Sequence, residues 1–166
     1  MKIGLLSDSH SFTDLALLDL FKDRDEIWHA GDFGNLNVIK DLENTGKPLK
    51  GVYGNIDHPE IQRIFPQDLK WNIGDFKIYM THIAGYPGKY AARIKKELIA
   101  DPVDLFICGH SHILKIMKDP TLHHMHINPG ACGHEGFHIM RTAVRFEINN
   151  GKLEKLDVLE LGLRGK

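Results

Sequence analysis

The sequence predicts a mixed α/β domain, and two patterns predict it. Over the first two thirds, short runs rich in Ile, Val, Leu and aromatic residues alternate with helix-period segments, the mark of βαβ crossovers and parallel pairing. Over the last third strand-like runs follow one another directly, which indicates an antiparallel portion at the C-terminal end. Strands are expected at 2–7, 26–30, 49–53, 77–81, 103–108, 124–127, 141–148 and 152–160. The first helix, 14–22, carries Leu15, Leu17, Leu18, Leu20 and Phe21, with Thr13 or Ser11 as its cap. The second, 37–44, carries Val38, Ile39 and Leu42 and stops at Gly46. The third, 90–99, turns Lys95, Lys96 and Glu97 to water. Asn149-Asn150-Gly151 supplies a hairpin turn between the last two strands. No linker, repeat or low-complexity segment interrupts the chain, so 1–166 is expected to form one domain.

Composition excludes several functions. The 21 basic and 22 acidic residues nearly balance, so no surface built for stable nucleic-acid binding or membrane coating is expected. No apolar stretch reaches the length of a membrane span, and Asp8 interrupts any signal-type apolar run. Cys108 and Cys132 do not make a disulfide framework and fit buried thiols in a reducing compartment, so a cytoplasmic protein is expected. Histidine is the outlier, at 11 residues.

Many of those histidines stand with carboxylates just after the expected strands. Asp8 and His10 follow the first, Gly31-Asp32 the second and Gly54-Asn55-Ile56-Asp57-His58 the third. His82 follows the fourth, and Gly109-His110-Ser111-His112 the fifth. In open α/β sheets ligands bind at the carboxyl ends of strands. Residues two apart share a face in extended chain, so His110 and His112 are expected to point the same way, as are Asp8 and His10. Imidazole and carboxylate together are ligands for Zn, Mn or Fe, and this many donors suit two ions better than one. Asp32 could bridge them. Each fragment alone has a plainer reading: Gly31-Asp32 as a turn and helix cap, Asn55 as a turn residue, His82 as a hydrogen-bonded strand end.

Asp8-Ser9-His10, Gly31-Asp32, Gly54-Asn55-x-Asp57, Thr81-His82 and Gly109-His110-Ser111-His112, in that order, resemble the motifs of calcineurin-like metallophosphoesterases, in particular small phosphodiesterases of the YfcE type. Asn128-Pro129-Gly130 is similar to that family's Asn-Pro-Gly segment. The resemblance implies two mixed β-sheets packed as a sandwich and flanked by helices, the metallo-dependent phosphatase fold. It implies two divalent ions, Mn, Fe or Zn: one on Asp8, His10, Asp32 and His112, the other on Asp32, Asn55, His82 and His110. It further implies in-line attack of a metal-bridging hydroxide on a small phosphodiester or nucleotide-type substrate, and a tendency of small members to form homo-oligomers.

Two departures stand out. The family often places a catalytic His after its Asn, where this chain has Ile56. Thr-His-Gly is loosened to Thr81-His82-Ile83-Ala84-Gly85. His58 is a candidate source of the missing proton, or a solvated histidine opening a helix before Pro59. Asp57 is a candidate to orient His10 or His58, or an ordinary turn aspartate. His29 reads as a core or supporting residue, His124 and His126 as one face of a half-exposed strand, and His134 and His138 as a solvent-exposed loop. Lys89, Lys95 and Lys96 could attract phosphate, or read as a solvated helix face. Ile56 also fits a non-enzymatic relative, since the retromer scaffold subunit shares the fold and lacks the catalytic His. A mononuclear zinc hydrolase built on His110 and His112 would leave Asn55 and His82 without a role.

Overall fold

A computed structural model describes residues 1–165. Its elements in chain order are β1 (Lys2–Leu6), α1 (Leu15–Leu20), β2 (Glu26–His29), α2 (Leu36–Glu43), β3 (Leu49–Gly51), α3 (Pro59–Gln62), β4 (Asp68–Ile73), β5 (Phe76–Thr81), α4 (Ala92–Ala100), β6 (Leu105–Ile107), β7 (Leu114–Lys118), β8 (Met125–Pro129), β9 (Met140–Asn149) and β10 (Lys152–Leu163). They form two five-stranded sheets, ordered β10-β9-β1-β2-β3 and β4-β5-β6-β8-β7. Both sheets are mixed, as the resemblance implies. β1, β2 and β3 run parallel while β9 and β10 pair antiparallel. In the second sheet β5, β6 and β8 are parallel, with β4 and β7 antiparallel at the edges. Antiparallel pairing is therefore not confined to the C-terminal third.

Strand alternation builds the layers. Ile3 and Leu5 of β1, Val144, Phe146 and Ile148 of β9, Ile78 and Met80 of β5, and Leu105 and Ile107 of β6 all enter one buried cluster between the sheets. The intervening residues face outward under helices. Leu6, Ile27 and Ala143 pack with Leu17 of α1, Val38, Ile39 and Leu42 of α2 and Ile61 of α3. Tyr79 and Phe106 pack with Ile94 and Leu98 of α4. The result is helix, sheet, sheet, helix. No helix among the described residues is long and apolar enough to cross a membrane.

Local chemistry sets the ends. The cap of α1 is Asp14, not Thr13 or Ser11: its carboxylate accepts from the amides of Ala16 and Leu17 at 2.9 and 3.3 Å and also pairs with Arg141. Asn35 caps α2 in the same way. The turn between β9 and β10 has Asn150 at φ 49° and Gly151 at φ 71°, the positive pair that a two-residue hairpin needs. β4 and β7 had no counterpart among the expected strands. They are the two edges of their sheet, half wetted and rich in polar residues.

Gly4 of β1 lies under α1. A methyl group there would sit 2.7 Å from the ring of Phe21, which is 1% exposed and has no room to yield. Gly4→Ala is expected to cost about 1–3 kcal/mol by overpacking. Chemical denaturation reads this, and an unchanged midpoint would contradict the packing described.

Candidate metal centre

The loops that follow the parallel strands β1, β2 and β3 of one sheet and β5 and β6 of the other carry the polar residues. Backbone bonds hold the loops together beyond the strands: Asp8 N to Gly31 O at 2.9 Å, His10 N to Asp32 O at 3.1 Å and Gly109 N to His82 O at 3.0 Å. Asp8, His10, Asp32 and His112 offer donor atoms within 4.8 Å of one another, and Asp32, His82 and His110 form a second such group. Asp32 belongs to both. Asn55 reaches the second group, its Oδ1 standing 2.8 Å from His110 Nδ1. All seven sequence candidates for metal ligation thus meet in one place.

The expected face-sharing is not how they meet. Asp8, His10, Asp32, His110 and His112 lie in the left-handed region, at φ 53°, 46°, 59°, 68° and 59°. They follow the strands as tight turns, and the turn at 110–112 sends His110 to one donor group and His112 to the other. Such backbone costs roughly 1–2 kcal/mol per non-glycine residue and persists where surrounding contacts over-determine it.

Each carboxylate has one oxygen tied down and one turned to the imidazoles. Asp8 Oδ2 accepts from Ser7 Oγ at 2.6 Å and from the amide of His110 at 3.1 Å. Its Oδ1, buried and without a hydrogen-bond partner, lies 3.2 Å from His112 Nε2. Asp32 Oδ1 accepts from the amide of Ile56 at 3.1 Å, and its Oδ2 lies 3.2 Å from His82 Nε2 and 3.5 Å from His10 Nε2. His82 Nδ1 donates to Ala30 O at 2.7 Å, which fixes the tautomer with the Nε2 lone pair toward the carboxylates. That Nε2 is buried and close to Asp32 but out of hydrogen-bond line. Two buried donor atoms that face the same space, Asp8 Oδ1 and His82 Nε2, have no hydrogen-bond partner, which fits a cation held between them. Glycine makes the approach feasible: a Cβ on Gly54 would collide with the Asp32 carboxylate, and one on Gly31 would lie 2.5 Å from His82 Nδ1.

The charges agree with this geometry. Burial works to raise the Asp32 carboxyl, but the neighbouring imidazoles of His82 and His10 and the Ile56 amide hold it below its ordinary value. Burial works to lower His82, but Asp32 and Asp8 raise it, and Asp8 likewise raises His112. His110 is lowered by burial and by the charge of His82.

Residues 1–151 match the calcineurin-like phosphoesterase superfamily domain. The chain belongs to that superfamily. Its relatives include a phosphodiesterase of Methanocaldococcus jannaschii, 28% identical over 149 residues that cover 80% of this chain and 84% of that protein. A probable metallophosphoesterase of Methanothermobacter thermautotrophicus is 30% identical over 139 residues, 79% of this chain and 77% of that protein. Among solved structures, wild-type Vps29 of Entamoeba histolytica complexed with zinc has a TM-score of 0.72 at 18% identity, over 96% of this chain and 99% of that one. That last likeness is one of fold. Calcineurin-like phosphoesterases are hydrolases that use divalent metals, and the two donor groups supply the residue types such metals need.

Within this metallophosphoesterase the remaining candidates take different places. The carboxylate of Asp57 forms no hydrogen bond with His10 or His58. Its buried carboxylate accepts from the amides of Gly34 at 2.8 Å and Gly54 at 2.7 Å and so ties the loop after β2 to the loop after β3. His58 is exposed and opens α3 before Pro59, outside both donor groups. His29 is fully buried beneath the site: Nδ1 accepts from Gly31 N at 3.1 Å and Nε2 lies 2.9 Å from Ser9 Oγ. His124 and His126 are not half-exposed. His126 lies on β8 and His124 just before it, and both are covered by Tyr90, whose hydroxyl meets His124 Nε2 at 2.9 Å and His126 Nδ1 at 3.0 Å. His138 is also buried, 5.3 Å ring to ring from His112, with Nε2 3.1 Å from Gly133 O. Ser7, which anchors Asp8, carried no signal in the sequence beyond its place at a strand end. Asn128 of the Asn-Pro-Gly segment braces the 109–111 turn, donating to Gly109 O at 2.8 Å and Ser111 Oγ at 3.1 Å.

Burial lowers His29 to about 3 and His126 to about 4. Both imidazoles are therefore expected to stay neutral at pH 5, since a lowered folded pKa keeps the uncharged form well below 6.5. Ring-carbon NMR shifts that do not move between pH 7 and pH 5 would agree. A titration midpoint near 6.5 for either ring would contradict the burial described.

Proposed function

We propose that the chain is a binuclear metal-dependent phosphodiesterase, with 1–166 as one metallophosphoesterase domain. The observation that carries this is the double membership of Asp32, whose Oδ2 stands between His10 on one side and His82 on the other. One ion would take Asp8, His10, Asp32 and His112, and the other Asp32, Asn55, His82 and His110. Bound there, divalent cations such as manganese, iron or zinc would supply Lewis acidity toward phosphoryl oxygens and an acidified water for in-line attack.

The rest falls to the chain's own side chains. Ser7 and the His110 amide orient Asp8, the Ile56 amide orients Asp32, and Ala30 orients His82. Asp57 holds the loops that present Asp32 and Asn55. Ile56 gives its amide to Asp32 and has no side-chain proton for a leaving group. That favours diesters with good leaving groups, which carry one negative charge and need less help than monoesters. The reading expects a cytoplasmic protein, with homo-oligomers in keeping with its small relatives.

Ile56 and the fold likeness to Vps29 favour a second reading, a scaffold for other proteins. The two readings part on turnover. With Mn(II) supplied, the protein is expected to hydrolyse an aryl phosphodiester faster than the matching monoester. Asp32→Ala and His110→Ala are each expected to reduce that turnover at least ~100-fold, the upper end for residues that merely orient ligands. Unchanged turnover in both variants would contradict the ligand assignment, and no turnover with any metal would leave the scaffold.

A further inference from the structure

Two cavities open beside the second donor group. The smaller, about 240 Å³, is lined by Asn55 and His82, and the larger, about 430 Å³, by His110. Ile83 lines the first and Ala84 the second, so the chain just beyond His82 divides them. A phosphodiester has two organic arms, and a cavity on each side of His82 offers a place for both.

The larger cavity has a definite chemistry. Tyr86 and Ile113 give it apolar walls that are 40% and 64% exposed. Lys115 also lines it, its ammonium 4.7 Å from the centre of the Tyr86 ring, and the Lys89 ammonium lies 6.0 Å from the same ring. Five of the described lysines, Lys22, Lys50, Lys70, Lys77 and Lys155, meet carboxylates and the other nine do not. Lys89 and Lys115 are among those nine, and they are set apart by standing on one aromatic ring. Two cations without acidic partners, gathered on one aromatic ring at the mouth of a cavity that reaches His110, leave an anionic position open.

We infer that the larger cavity binds one arm of the substrate and that this arm is a nucleotide, its ring against Tyr86 and Ile113 and a second phosphate at Lys115. The inference rests on the phosphodiesterase reading for the phosphate at the centre. An alkyl arm or a plain aryl arm would use the apolar walls but leave the lysines without an anion. The cavity volume falls within the range of small-ligand sites. A single nucleotide arm also agrees with a chain whose basic and acidic residues nearly balance.

Three diesters that release 4-nitrophenolate and differ in the other arm test this with Mn(II) supplied: methyl, thymidine 5′-linked, and thymidine 3′-phosphate 5′-linked. kcat/KM is expected to rise in that order. The last step should be roughly three- to tenfold, through KM, and should shrink at high salt, as a partly exposed charge contact requires. Lys115→Gln should bring the ratio of the last two diesters to about one, and Lys115→Arg should restore it. Calorimetry gives a readout apart from turnover: thymidine 3′,5′-bisphosphate should bind more tightly than thymidine 5′-monophosphate, and Lys115→Gln should erase the difference. Equal kcat/KM for all three diesters with equal affinity for the two nucleotides would overturn the subsite and leave the phosphodiesterase standing. No turnover of any diester with Lys115-dependent nucleotide affinity would sustain the subsite and overturn the phosphodiesterase.

Discussion

The carboxylate of Asp32 is the point on which the site turns. One oxygen is occupied by the Ile56 amide, and the other is left between two imidazoles that come from different loops. Burial opposes that charge, and the surrounding imidazoles and amide overcome the opposition. Around that carboxylate stand the imidazoles of His10 and His82, the Ile56 amide and a second carboxylate, Asp8. Two carboxylates and several imidazoles gathered this closely are the donor types that divalent metals take.

The fold supplies this arrangement through its layers. Alternating residues of β1, β2, β5 and β6 bury one face between the sheets and the other beneath helices, which makes these strands rigid up to their last residue. Immediately past those ends the backbone turns sharply, and five of the nine non-glycine residues with positive φ among those described are candidate ligands. The strain is held by bonds between loops, among them those of Asp57 to Gly34 and Gly54 and of Asn128 to Gly109. Stability stored in the sandwich thus maintains an unfavourable local geometry at its rim.

Much of this was legible in the sequence, for identifiable reasons. Buried strands such as β1 and β6 announce themselves by unbroken apolar runs, and the donors that follow them are few enough in type to read as a pattern. β4 and β7 escaped because edge strands, wet on one face and one side, carry Lys115, Lys118, Lys70 and Asn72 where central strands carry Val and Ile. The sequence points to Thr13 or Ser11 for the α1 cap, where the structure has Asp14, because several short polar residues precede α1 and each can serve. The membership of the site was readable, but not its internal division. Nothing local in Gly109-His110-Ser111-His112 reports that both histidines take positive φ, because contacts with Asp8, Asn55 and Asn128 from distant strands impose it. The burial of His124, His126 and His138 was hidden for the same reason. Alternation shows which face a residue shares, and only the tertiary fold shows what covers that face.

The most direct measurement is anomalous diffraction from crystals of the protein grown with Mn(II). Two peaks about 3.5–4 Å apart are expected, one among Asp8, His10 and His112 and the other among Asn55, His82 and His110, with Asp32 contacting both. A single peak, or side chains of Asn55 and His82 turned away from any ion, would contradict the shared-carboxylate centre.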